Sequence, residues 1–130
     1  MTQPLILIAE DDDAVRSVLV RSLTREGFEV VETWDGAEAL RAFETGKELP
    51  DLLLTDVAMP GLSGPDLAAK VEDRWPGTKV AFITAYAFEH AVKMVTSGHP
   101  VLPKPFTHEE LIRFVRKALG AAPAPAPAGD

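Results

Sequence analysis

The chain has 130 residues, 46% hydrophobic and 25% charged, with 13 basic against 20 acidic side chains and no cysteine. That length suits one domain with its own core, and the ordinary apolar share excludes wholesale disorder. Lack of cysteine excludes a disulfide scaffold, a thiolate zinc site and a cysteine nucleophile, while a formal net charge of −7 opposes phosphate-backbone contact, so no nucleic-acid partner is expected.

Short apolar runs alternate with amphipathic stretches along the chain. The opening Met1-Thr2-Gln3-Pro4 lacks the basic start of a secretory signal. It leads into the longest apolar run, Leu5 to Ala9, far short of the roughly 20 residues of a membrane span. A cytoplasmic protein without a membrane partner is therefore expected. The run itself reads as a strand buried on both faces. Asp13 is placed as the cap of a helix whose Val15, Val18, Leu19 and Leu23 face inward and which Gly27 closes. Residues 28–33 alternate and read as a half-exposed strand. Asp35-Gly36 opens a helix carrying Ala39, Leu40 and Phe43 and stopping near Gly46. Residues 51–56 form a second fully buried strand that ends in an acid.

Met59 to Gly64 is a loop, and Pro65 suits the first position of a helix with Leu67, Ala68 and Val71 inside, ended by Trp75-Pro76-Gly77. Residues 80–84 make a third buried strand. A helix is expected over 87–97, with Ala91, Met94 and Val95 at helical spacing. Residues 100–103 make a short strand whose prolines suit a sheet edge. Thr107 and Glu110 have the spacing of a capping box for a last helix with Leu111, Phe114, Val115 and Ala118 inside. Five strand–helix units with buried strands predict a parallel sheet covered on both faces. The domain spans 1–120, and the Ala/Pro-rich residues 121–130 read as an extended tail or linker.

In such a sheet, ligands bind outside the carboxyl ends of the strands. Glu10, Asp11, Asp12 and Asp13 follow the first strand, Asp56 ends the third, Thr84 ends the fourth, and Lys104-Pro105 follows the fifth. If the first and third strands are neighbours, Glu10, Asp11 and Asp56 converge. Their mutual repulsion is relieved by a hard dication, and Mg²⁺ is the plausible one. Asp12 and Asp13 are read as solvated helix-capping acids. A carboxylate beside Mg²⁺ can attack a phosphoryl group, with the Lys104 ammonium and the Thr84 hydroxyl stabilising the same charge, to give an aspartyl phosphate on Asp56.

Those positions, within Ile6-Leu7-Ile8-Ala9-Glu10-Asp11-Asp12, Leu54-Thr55-Asp56-Val57-Ala58-Met59-Pro60-Gly61, Ile83-Thr84-Ala85 and Leu102-Pro103-Lys104-Pro105-Phe106, resemble the response regulator receiver domain of two-component signalling. The resemblance covers about residues 4–120. It implies a flavodoxin-like (βα)5 three-layer α/β sandwich with strand order 2-1-3-4-5. It implies Asp56 as phosphoacceptor, Glu10 and Asp11 as the metal-holding pair, the Ala58 backbone carbonyl as a further ligand, Thr84 as the switch hydroxyl and Lys104 as its partner, followed by a cis Lys104–Pro105 bond. The donor would be a phosphohistidine on a sensor histidine kinase or a phosphotransfer protein, and the output a conformational switch read by an unidentified downstream protein.

One position departs from the family pattern. Val101 stands where members often carry the aromatic that reports the threonine's state, and Tyr86 is the nearest candidate replacement. Ala58 offers no polar group to orient water and Tyr86 could shield the site, so slow loss of the phosphoryl group is expected. Trp34 and Trp75 are expected to pack partly in the core, and His90, His99 and His108 to lie on the surface. Lys93, Arg113, Arg116 and Lys117 give the last two helices some positive charge, a hint of an acidic or phosphorylated partner. Two alternatives stand beside this reading. A Mg²⁺-dependent aspartyl-phosphate phosphohydrolase often needs an acid two residues past the nucleophile, where this chain has Ala58, so an enzyme is not expected. The other is a receiver-shaped adaptor that is never phosphorylated.

Overall fold

A computed structural model describes residues 3–85 and 98–120. Its elements run β1 (Leu5–Ala9), α1 (Asp13–Arg25), β2 (Glu29–Thr33), α2 (Gly36–Thr45), β3 (Leu52–Asp56), α3 (Gly64–Arg74), β4 (Lys79–Thr84), β5 (Val101–Pro103) and α4 (His108–Ala118). The helix expected over 87–97, Tyr86, His90, Lys93 and the tail at 121–130 lie outside the described residues.

The apolar runs form the sheet because both of their faces are covered. In β1, Ile6 and Ile8 enter one core cluster and Leu7 and Ala9 the other, following the period of two. The first cluster is sealed by Leu19 and Leu23 of α1 and by Leu111, Ile112 and Val115 of α4. The second is sealed by Ala39 and Phe43 of α2 and by Leu67, Ala68 and Val71 of α3. All strand pairs are parallel, in the order β2-β1-β3-β4-β5. The expected three-layer α/β architecture and strand order therefore hold, with the short, proline-bearing β5 at an edge.

The helix starts follow local chemistry. Asp35 accepts from the Glu38 N–H at 2.8 Å, Ser63 from the Asp66 N–H at 3.2 Å, and Thr107 and Glu110 cap each other reciprocally. At α1 the cap is Asp12, not Asp13. Asp12 is extended and its carboxylate accepts from the Val15 N–H at 3.1 Å, whereas Asp13 already lies in the first turn and pairs with Arg16.

Three other expectations are corrected. Val18 is 46% exposed, because it sits about 100° round α1 from Leu19, at the flank of the buried stripe. Trp34 is 51% exposed, since it follows an edge strand whose inward position is taken by Thr33. Trp75 does pack against the core, stacked on Phe43 with ring centroids 4.9 Å apart. His99 and His108 are half-buried rather than on the surface, each paired with a carboxylate: Glu72 at 2.7 Å and Glu26 at 3.0 Å.

Candidate phosphoacceptor site

The register of β1 on β3 pairs Ile8 with Leu54 and Ala9 with Thr55, which brings the next residues, Glu10 and Asp56, to the same level at the carboxyl end of the sheet. Glu10 continues the β1 ladder, its N–H donating to the Thr33 carbonyl at 3.1 Å. Its side chain is fully buried, and Oε2 accepts from the Asp12 N–H at 3.0 Å. Asp56 closes β3 and is 7% exposed. The Ala58 N–H points at its Oδ1 across 3.4 Å, and the next peptide is pinned by the Val57 N–H donating to the Ile83 carbonyl at 3.0 Å.

Lys104 reaches the pair from β5. Its backbone N–H donates to the Thr84 carbonyl at 2.8 Å, and the Lys104–Pro105 bond is cis. Its Nζ lies 3.0 Å from Glu10 Oε1 and 3.1 Å from Asp56 Oδ2, so one ammonium bridges the two strand-end acids. Thr84 is buried at the end of β4, beside this strand switch. Val101 is half-buried in β5, against the α2–α3 side of the core.

The electrostatics are unbalanced in favour of another cation. Glu10, Asp11 and Asp56 each offer a carboxylate oxygen, all within 4.8 Å of one another. Burial pushes the Glu10 carboxyl up to about 7, assisted by the Asp56 charge; the Asp12 N–H and Lys104 only partly pull it back. For Lys104, burial acts downward, but its contacts with Glu10 and Asp56 outweigh that and hold it above its ordinary value. Glu10 Oε1 is buried, and its one polar partner among the described residues is the Lys104 ammonium at 3.0 Å. A buried oxygen with an unmet lone pair, within a cluster of hard oxygen donors, fits a Mg²⁺-like ion.

Residues 6–116 match the response regulator receiver domain family. This chain is a response regulator receiver domain. Receivers are the phosphoacceptor modules of two-component systems and work with sensor kinases and downstream partners. Among the curated relatives is the DNA-binding transcriptional regulator NtrC of Azospirillum brasilense, 36% identical over 136 residues, which covers 100% of this chain and 28% of that protein. The sensor kinase CckA of Brucella abortus is 34% identical over 116 residues, 88% of this chain and 12% of that protein. The receiver thus spans well under a third of these relatives' lengths.

A CheY-like receiver from Methanospirillum hungatei is 29% identical with a TM-score of 0.80, covering 92% of this chain and 95% of that one. The receiver domain of a sensor histidine kinase from Pseudomonas aeruginosa, 26% identical with a TM-score of 0.80, covers 92% of this chain and 100% of that one. That structure holds a magnesium ion in its active-site cleft. Among the described residues of this receiver, no helix is long and apolar enough to cross a membrane.

The structure thus brings together Glu10, Asp11, Asp56 and Lys104, with Ala58 and Thr84 alongside, while Tyr86 is outside the described residues. Asp12 and Asp13 are drawn off to the helix cap and to Arg16. Sequence reasoning missed two residues that shape the site. Arg16 donates to the Glu10 carbonyl at 2.9 Å, and Gly64 presses its backbone against Asp56. The spacing of Arg16 from Asp13, one helical turn, was the available signal for the first. A glycine directly before a helix-starting proline was a weak one for the second.

Proposed function

We propose that Asp56 is the phosphoacceptor and that Glu10, Asp11, Asp56 and the Ala58 carbonyl would hold a Mg²⁺ ion. An Asp56 carboxylate oxygen attacks phosphorus, the P–N bond of a phosphohistidine breaks, and the imidazole nitrogen keeps the electron pair. The donor belongs to a sensor histidine kinase or a phosphotransfer protein. When bound, Mg²⁺ supplies charge neutralisation to the phosphoryl oxygens. Lys104, already 3.1 Å from Asp56 Oδ2, offers a fixed cation to the same oxygens after transfer and gives up one of its two carboxylate contacts. Thr84, joined to Lys104 through its carbonyl, is the switch residue that couples the loaded site to β5 and Val101. The output is a shift between two surface states that a downstream protein reads, without catalytic turnover. Ala58 supports this, since it provides no acid to protonate a leaving group or activate water.

The observation that carries the proposal is the bridging Lys104 ammonium between two strand-end carboxylates in a three-carboxylate cluster. The test is incubation with Mg²⁺ and a small-molecule phosphodonor, followed by intact mass analysis. One phosphoryl group, released by hydroxylamine, is expected on the native chain and none on Asp56→Asn. An adduct that survives in Asp56→Asn would place the acceptor elsewhere, and repeated turnover of the donor would favour a hydrolase.

A further inference from the structure

Four consecutive acids follow β1, yet only two of them meet Asp56. We propose that Arg16 is the positioning residue that sorts them: its guanidinium holds the Glu10 carbonyl and the Asp13 carboxylate, so that Glu10 and Asp11 converge with Asp56 while Asp13 is held away. The proposal deepens the metal-site reading above and rests on it.

Arg16 lies one turn into α1, with its side chain only 15% exposed. One terminal nitrogen donates to the Glu10 carbonyl at 2.9 Å, the other to Asp13 Oδ1 at 2.5 Å, and Nε to Glu32 Oε1 of β2 at 3.4 Å. Two of those partners are solvent-exposed carboxylates, 89% for Asp13 and 55% for Glu32, and exposed ion pairs contribute little by themselves. The third is different in kind. The Glu10 carbonyl belongs to the peptide joining the two candidate metal-holding acids. Its orientation sets the direction in which the Asp11 side chain leaves the backbone. A planar, forked guanidinium can fix that peptide and the start of α1 at once, which a point charge cannot do. The other two acids of the run are equally committed, Glu10 to the Asp12 N–H and Lys104, and Asp12 to the Val15 N–H. Asp11 is left to converge with Glu10 and Asp56, each offering one carboxylate oxygen within 4.8 Å of the others.

Electrostatics and positioning predict opposite signs. Removing a cation beside an acidic cluster strengthens binding of any dication, whereas releasing the Glu10–Asp11 peptide weakens it. Mg²⁺ demands near-octahedral geometry and Ca²⁺ tolerates irregular sites, so loosening also lowers the preference for Mg²⁺. The test titrates chelator-stripped protein with Mg²⁺ alone and Ca²⁺ alone, by calorimetry or amide chemical shifts. It compares the native chain with Arg16→Met, Arg16→Lys and Glu32→Gln.

The expected result is about tenfold weaker Mg²⁺ binding by Arg16→Met, the scale of a lost outer-shell partner, with Ca²⁺ affected less. Arg16→Lys should fall between, and Glu32→Gln should match the native chain within about twofold, because the hold on Glu10 survives it. Mg²⁺ binding by Arg16→Met as tight as native or tighter would overturn the proposal, as would equal losses for both ions. So would a Glu32→Gln loss equal to that of Arg16→Met. Should Arg16→Met fail to fold, Arg16→Lys against Glu32→Gln decides by the same criteria. A native chain that binds neither ion overturns the site assignment and this proposal with it, whereas equal binding by native and variant overturns this proposal alone.

Discussion

Gly64 offers the most direct test of how rigidly Asp56 is held. It begins α3, and its N–H donates to the Val57 carbonyl at 2.9 Å, so the helix start is laced to the residue after Asp56. A Cβ at Gly64 would stand 3.0 Å from both the Asp56 carbonyl carbon and the Val57 Cα, and closer still to the Asp56 carbonyl oxygen. All three are backbone atoms, so no side chain can swing away. Ordinary carbon contacts are about 3.5–4.0 Å, and Gly64→Ala therefore requires the helix start and the end of β3 to part by roughly 1 Å. The second side of that gap is fixed by the Val57 N–H on the Ile83 carbonyl at 3.0 Å.

Overpacking of this kind costs about 1–3 kcal/mol, against a helix-propensity gain from Ala of at most about 1 kcal/mol. A fall in Tm of roughly 5–10 °C is expected for a domain of this size, read by circular dichroism in chelator. A nucleophile displaced by about 1 Å also loses about 10²-fold in rate, so phosphorylation by a small donor, followed by intact mass, should slow by one to two orders of magnitude. A Gly64→Ala protein that melts within 1 °C of native and phosphorylates within about twofold would refute the reasoning, because the helix would then yield without moving Asp56.

The other predictions probe charge, capping and water. Because the folded chain holds Glu10 at about 7, above an ordinary 4.5, it favours the protonated form. That stabilisation is whole below about pH 4.5, is lost as pH rises through 7, and amounts to at most about 3 kcal/mol. Chelated protein should lose Tm between about pH 5 and pH 7 and level off above that, and added Mg²⁺ should restore more at the higher pH. Glu10→Gln should show neither effect, and a Mg²⁺ shift independent of pH would count against the buried carboxylate. Asp12→Ala should cost about 1 kcal/mol in urea unfolding as a lost helix cap, and Asp13→Ala less than half of that. The reverse order would restore Asp13 as the cap. Ala58→Asn, which supplies an amide able to orient water, should lose its phosphoryl group several-fold faster than the native chain. Intact mass followed over time reads the decay, and a slower loss would show that Ala58 is not what protects the acyl phosphate.

What the sequence made legible follows from how strongly each feature is constrained. The runs at Leu5–Ala9 and Leu52–Asp56 had to be central strands, because a continuous apolar run has two faces to bury. Once the two are neighbours, as the resemblance to receivers implied and the register shows, acids at their ends meet, and Lys104 reaches both. Features with weaker constraints were misread or missed. Asp12 and Asp13 are chemically equivalent as caps, and only the entry angle of the chain into α1 separates them. Val18 has the spacing of an inward residue but stands at the flank of the stripe, and Trp34 follows an edge strand that leaves it outside.

Arg16 and Gly64 were illegible for a deeper reason. Each acts on the backbone of a site residue rather than on its side chain: a donor to the Glu10 carbonyl, and a missing Cβ beside the Asp56 carbonyl. Side-chain chemistry announces itself in residue type, while backbone placement depends on three-dimensional approach. Placing a nucleophile requires both, since carboxylates that repel one another hold a common geometry only if the peptides carrying them cannot turn away. The receiver secures this on one side with a guanidinium and on the other with a close backbone contact, while among the described residues the Lys104 ammonium bridges the two strand-end acids through its side chain alone.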